Sequence, residues 1–140
     1  MLHIDIITPD STVYSGEASS LTLPTADGEI TVLPHHIPLL SVLVPGTAIV
    51  RKGSEEFVFA VSRGVIEIDG ASVRVLADTA DRLEHLEEAA IEKAKEAAEK
   101  LVKEKRFDTE GFIEATAILE RELARLKTVR RHRSGRSLQR

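Results

Sequence analysis

"VIEIDGASVRVLADTADRLEHLEEAA", residues 65 to 90, changes its period halfway along. From Val65 to Ala77 apolar residues alternate with polar or small ones, broken once at Asp69-Gly70. That is the pattern of two half-buried strands joined by a tight turn. From Leu83 onward the apolar residues recur at Leu86, Ala90, Ala94, Ala97 and Leu101, the spacing of one helix face. Asp81, with Glu84 three residues on, resembles a capping box opening that helix. Two different objects are therefore expected to meet near residue 80.

Toward the N-terminus the alternation repeats in "HIDIIT", "SLTL" (20–23), "EITV" (29–32) and "EFVFAV" (56–61). Turn chemistry separates these runs: Pro9-Asp10, Ser15-Gly16, Asp27-Gly28, Pro45-Gly46 and Gly53-Ser54. The Asp-Gly pairs predict type I′ hairpins, because both central residues of that turn need positive φ. Many short strands at this spacing predict an antiparallel β-sandwich over residues 1–80. About eighty residues suffice for such a core without staples.

Toward the C-terminus "KEKRFDTEG" interrupts the helical pattern, with Asp108 or Thr109 as a new N-cap. A second stripe follows through Phe112, Ala115, Leu119, Leu123 and Leu126. Two amphipathic helices with a short link predict an antiparallel hairpin over 81–133, and 134–140 read as a disordered tail. The fold class expected is thus β + α, a sandwich followed by a two-helix hairpin. The first stripe is half alanine, and an alanine buries roughly one methyl, ~0.8 kcal/mol, against ~1.5–3 for a leucine. One reading is a hairpin that holds its helices but grips its surroundings weakly, built to detach and extend. The other is close helix packing and nothing more.

Charge divides along the same line. Residues 1–80 hold 4 Lys+Arg against 10 Asp+Glu, and residues 81–140 hold 15 against 13. Within the second half, 84–104 carry seven Glu, whereas 125–140 carry seven Lys or Arg and no acid. Read functionally, that basic end meets an acidic protein surface or phosphates; read blandly, it is a solvated helix end. The last aromatic residue is Phe112, so the stacking partners that accompany sequence-independent nucleic-acid binding are missing there.

No cysteine is present, which removes disulfides, thiolate metal sites and cysteine nucleophiles together. The chain opens without a secretory or import signal, and its apolar runs fall far short of the ~20 residues of a membrane span. No phosphate-cradling glycine motif and no nucleophile elbow occur. The paired carboxylates Glu55-Glu56 and Glu87-Glu88 lie in polar settings where their pKa values stay ordinary. No catalytic residue, cofactor or metal is expected. His35 and His36, caged by Pro34 and Pro38, are adjacent and in an extended segment point to opposite sides, so a shared metal is disfavoured.

The stretch around those histidines, Gly28, Glu29, Ile30, Thr31, Val32, Leu33, Pro34, His35, His36, Ile37, Pro38, Leu39, resembles the segment G-E-L-G-[IL]-[LY]-P-G-H-x-P-L of the epsilon subunits of F-type ATP synthases. Pro45-Gly46, "SRGVIEI" (62–68, against S-G-G-x-x-E-V) and "VRVLADTA" (73–80, against V-T-V-L-A-D-T-A) follow in order. The resemblance covers essentially the whole chain. It implies a non-catalytic rotor subunit of the central stalk, coupling proton flow to ATP synthesis and restraining ATP hydrolysis through its C-terminal helices. It implies a peripheral position at the cytoplasmic face of a bacterial inner membrane, with a plastid-encoded origin as the alternative.

Carried over, Asp27, Gly28 and Glu29 would face the membrane c-ring. Pro34, His36, Pro38 and Leu39 would lie at the gamma subunit. Arg121, Arg125, Lys127, Arg130, Arg131 and Arg133 would meet acidic segments of the catalytic beta subunits once the hairpin extends. Thr31, His35 and Arg63 stand where the family commonly has glycine, which raises the question of backbone torsion at each. Some relatives bind ATP through [IL]-D-x-x-R-A; here Ala90 replaces the arginine, so no ATP site is expected, the guanidinium fork being absent. Two rival readings are a nucleic-acid-associated β-domain with a basic helical tail and a small enzyme.

Overall fold

The computed structural model describes residues 1–138, with side-chain surroundings as far as Ser134. Ten strands come first: β1 (Leu2–Ile7), β2 (Thr12–Ala18), β3 (Ser20–Thr25), β4 (Gly28–Val32), β5 (His36–Leu43), β6 (Gly46–Lys52), β7 (Glu55–Val61), β8 (Gly64–Gly70), β9 (Ser72–Ala77) and β10 (Ala80–Arg82). A 3₁₀ turn (Leu83–His85) and two helices, α1 (Glu88–Glu104) and α2 (Thr109–Leu138), complete the described chain.

The strands form one sheet in the order β10-β7-β6-β3-β5-β8-β9-β1-β2, with β4 also paired to β3. The sheet wraps into a nearly closed sandwich. Its two ends approach one another where the Arg82 guanidinium donates to the Val13 carbonyl at 2.9 Å. Tyr14 on β2 packs against Phe57 and Phe59 on β7 across the same seam. All pairings are antiparallel except β1 with β9. Alternation supplies the core: Leu2, Ile4 and Ile6 from β1, and Val73, Val75 and Ala77 from β9, all turn the same way and all are buried.

Four strands are not marked by an alternating run in the sequence, each for a physical reason. β6 is buried at five successive positions, so it shows no alternation. β5 contains Pro38, and its ladder shifts between His36 and Leu39 to accommodate it. β2 includes Ser15-Gly16, expected as a turn, in pairing with Asp5 and Ile4. β10 is only three residues long. The turns also differ from expectation. At Gly70 and Gly53 the first central residue alone takes positive φ (+57° and +61°), the type II′ arrangement. Between β3 and β4 the central pair is Ala26-Asp27, with the Thr25 hydroxyl donating to the Gly28 carbonyl at 2.5 Å.

The start of the first helix is corrected. Asp81 and Arg82 pair with Ala60 and Phe59 of β7, so the capping box at Asp81 and Glu84 does not form. Sheet hydrogen bonds with an edge strand satisfy this backbone better than a local cap, and α1 begins seven residues after Asp81, at Glu88. The stripe is corrected with it. Ile91 and Ala98 are buried, whereas Ala90 and Ala97 are exposed. α1 packs on α2 and not on the sheet, which selects a different face. α2 is itself split between two neighbours: Ala115, Glu122, Ala124, Leu126 and Thr128 are buried, while Phe112 and Leu123 of the expected stripe are largely exposed. The helix continues to Leu138, through most of the segment expected as a disordered tail. No proline interrupts 134–138, and propagation of an existing helix costs little per residue. Residues 139–140 of that segment lie outside the described residues.

Candidate interaction surfaces

Two surfaces carry the residues singled out from sequence. The first is where α2 lies on β6 and β7. At its centre the Thr128 and Thr47 hydroxyls, both buried, hydrogen-bond at 2.8 Å across 81 residues of sequence. One and two turns earlier on α2, Arg125 and Arg121 both fork onto Asp81 of β10. Arg125 donates from Nε and Nη2 at 2.8 and 2.9 Å, and Arg121 from Nε and Nη2 at 3.2 and 2.9 Å. Burial alone would raise the Asp81 carboxyl, whose side chain is only 16% exposed. The hydrogen bonds from Arg125 and Arg121 outweigh it and hold the group below its ordinary value. Arg125 also donates to Glu122 at 2.9 Å, leaving the second Glu122 oxygen buried without a partner.

The remaining basic residues are placed as follows. Arg131 forks onto Glu29, at 2.6 and 3.3 Å, and this hydrogen bonding lowers the Glu29 carboxyl against a smaller opposing effect of burial. Arg130 reaches Glu88 and Glu92 on α1, and Arg133 reaches Glu88 at 2.6 Å. Those bonds tie the end of α2 to the start of α1 and fix the antiparallel sense of the hairpin. Lys127 is exposed and makes no ion pair among the described residues. Arg63, standing between β7 and β8, pairs with Glu120 of α2, its Nε donating at 3.0 Å. Five of the six residues expected to face a partner protein thus face acids of their own chain.

The second surface is the outer face of β5, β8 and β9. Leu40, Val42, Val65 and Leu76 point outward, and register sets Val42 against Val65 and Val65 against Leu76. With Ile37 at 79% and Leu40 at 73% exposure, they make an apolar row across three strands. Leu39 is 42% exposed, Pro38 is exposed, and Pro34 and His36 are half-buried beside them. Sequence reading singled out the proline-histidine segment and missed the row. Its signal was present: "IPLLSVLV" (37–44) is apolar on both sides of a strand that needs only one apolar face.

The histidines have distinct settings. His36 Nδ1 lies 2.7 Å from the Ile37 carbonyl, and because a carbonyl only accepts, Nδ1 is the donor of that bond. His35 adopts φ +68°, the only non-glycine residue in that region among the described residues, a torsion that glycine takes freely. Thr31 and Arg63 need no such torsion. Beside Arg63 the tight position is Gly64, where an added Cβ would collide with the Leu76 carbonyl oxygen. Asp27, Gly28 and Glu29 are exposed at the β3–β4 turn, and Ala90 is exposed on the first turn of α1. Among the described residues no cluster of three His, Asp or Glu is placed to hold a metal, and no helix is long and apolar enough to cross a membrane.

Residues 1–83 match the family model described as the beta-sandwich domain of the ATP synthase delta/epsilon chain. The chain is 40% identical over 133 residues to an ATP synthase epsilon chain of Alkalilimnicola ehrlichii, covering 94% of each. It is 34% identical over 137 residues to ATP synthase epsilon chain 1 of Methylococcus capsulatus, covering 97% of each. In fold it matches a chain in a structure of the Euglena gracilis mitochondrial ATP synthase (OSCP/F1/c-ring), with TM-score 0.69 and 22% identity over 85% of this chain and 75% of that one. A whole-length likeness at this identity, over both the sandwich and the hairpin, is specific: the chain belongs to the family of ATP synthase epsilon chains.

Proposed function

We propose that this chain is a non-catalytic rotor subunit in the central stalk of an F-type ATP synthase, held peripherally at the cytoplasmic face of a bacterial inner membrane. The apolar row Leu40, Val42, Val65 and Leu76, continued by Ile37, Pro38 and Leu39 with Pro34 and His36 at its margin, meets the gamma subunit. The turn Asp27, Gly28, Glu29 meets the polar loops of the c-ring, so that proton-driven rotation of the ring is passed to gamma. When the hairpin leaves the sheet, Arg121, Arg125, Lys127, Arg130, Arg131 and Arg133 meet acidic segments of the beta subunits and restrain ATP hydrolysis.

The observation that carries this reading is the apolar row itself. A family member exposing three paired strands' worth of aliphatic side chains to water has a partner to cover them. Separation of that row from the strands beneath α2 lets one chain hold a partner and still move its hairpin. The test is affinity capture of the tagged chain from its own nuclease-treated lysate, beside the variant Val42→Asp/Val65→Asp. Recovery of gamma with alpha and beta by the parent, and its loss in the variant, is expected. Recovery of nucleic-acid machinery, or equal recovery of gamma by the variant, would overturn it.

A further inference from the structure

Helix α2 meets the sandwich through ion pairs at three places along its length. Glu120 meets Arg63, Arg121 and Arg125 meet Asp81, and Arg131 meets Glu29. Between the last two, the Thr47–Thr128 bond is the buried polar contact. Two of the three points have features of their own. Arg63 occupies a position where the family segment commonly has glycine, and its side chain makes that clamp. Glu29 lies in the exposed β3–β4 turn, and both of its oxygens are occupied by the Arg131 fork. Arg51 and Lys127 add positive charge around it, and Glu56 adds negative charge around Arg131.

We propose that the ion pairs at these three points form a latch holding the hairpin down, and that Glu29 makes the latch responsive to a cationic partner docking on turn 27–29. A cationic group from a partner that takes the Glu29 carboxylate removes the only acidic partner that Arg131 has among the described residues. The last part of α2 over the sheet is then freed. Linkage makes the effect reciprocal: a docked hairpin weakens the turn's hold on that cation by the same factor. The Arg63–Glu120 and Arg131–Glu29 pairs are partly exposed, so salt screens them, whereas the Asp81 pairs are largely buried and are screened less. The identity of the docking partner, a polar loop of the ring, rests on the reading above; the latch does not.

The chain has no cysteine, so one introduced thiol reports alone. Ala124 is buried and lies one turn from Thr128, on the face of α2 that meets the sheet. In full-length Ala124→Cys protein the rate of reaction with a soluble disulfide reagent follows the released fraction. Adding Glu29→Gln or Arg131→Gln is expected to raise that rate about two- to fivefold, the scale of an exposed pair. Asp81→Asn, which strips two guanidinium groups of their partner, is expected to raise it roughly tenfold or more. The exchange Glu29→Arg/Arg131→Glu should return the rate close to that of the parent. An acetylated tetra-arginine amide should raise the rate in the parent and not in Glu29→Gln.

Rates unchanged by Glu29→Gln and Arg131→Gln, or a peptide effect that persists in Glu29→Gln, would overturn the proposal. Amide exchange across α2 makes the same comparison without the cysteine, should the thiol itself loosen the helix. The exchange variant also separates the two claims. It keeps the latch while inverting the charge at position 29, so a normal thiol rate with lost capture of the ring supports both. A normal rate with capture retained leaves the latch standing and removes the ring from turn 27–29.

Discussion

The sandwich and the hairpin are held by different forces. The sandwich core is one cluster of seventeen buried apolar residues, at most 4% exposed, and no helical residue belongs to it. Five apolar residues of the helices are buried, and three of them are alanines. A fully buried Leu, Ile or Phe contributes about 1.5–3 kcal/mol and an alanine methyl about 0.8. Burial therefore fixes the sandwich, whereas the hairpin depends on directed contacts: three ion-pair points and one threonine pair on the sheet. The first kind of force is not weakened by ionic screening; the second is, and it can be exchanged for equivalent contacts elsewhere. The two parts are held by different chemistry.

Several variants sharpen or break that contrast. The largest effect is expected in the sandwich. Phe59 is fully buried and touches Tyr14 and Arg82, so Phe59→Ala should cost about 3–5 kcal/mol in urea unfolding. A loss under 1 kcal/mol would show that the core does not carry the fold. Next comes Asp81→Asn, expected to weaken hairpin docking by about 1.5–3 kcal/mol. It should speed amide exchange in α1 and α2 and leave β1, β8 and β9 unchanged. Equal acceleration in the sandwich would mean that the two parts unfold as one.

Acidity gives the third test. Asp81 and Glu29 both have lowered pKa values in the docked hairpin, so the undocked state binds more protons once pH drops to the ordinary carboxylate range. Their contribution is fully present above about pH 4.5 and is lost as pH falls through the lowered values. Ala124→Cys reactivity is unsuited to acid, so exchange rates of α2 between pH 6 and 3 are the measure. Release at pH 5 to 6 would place control in other groups. The smallest effect is expected at His35, where glycine relieves a left-handed torsion. His35→Gly should stabilise the sandwich by about 0.5–1 kcal/mol.

Much of this was legible before any tertiary contact was known. The switch of period around residue 80 separated strands from helices, and the alternating runs located six of the ten strands. The ordered segments from Gly28 to Ala80 pointed to the family. What failed did so where local pattern and long-range pairing disagree. "GTAIVRK" reads as no strand because a strand buried on both faces has no alternation to show. Asp81 reads as a helix cap because its sheet partner Ala60 is distant in sequence.

Sequence by itself determined the two architectures, the alanine-rich and weakly burying stripe of the hairpin and the sign of charge along α2, because propensity, periodicity and composition are local properties. Only the tertiary structure decided which face of α1 is buried, that β5, β8 and β9 share an exposed apolar row, and which acids the arginines hold. Arg131 and Glu29 are 102 residues apart, and Arg125 and Asp81 are 44. No spacing rule reaches that far; the sheet order brings those charges together, and they pair because each carboxylate is the nearest anion to a guanidinium that the helix has already fixed in place.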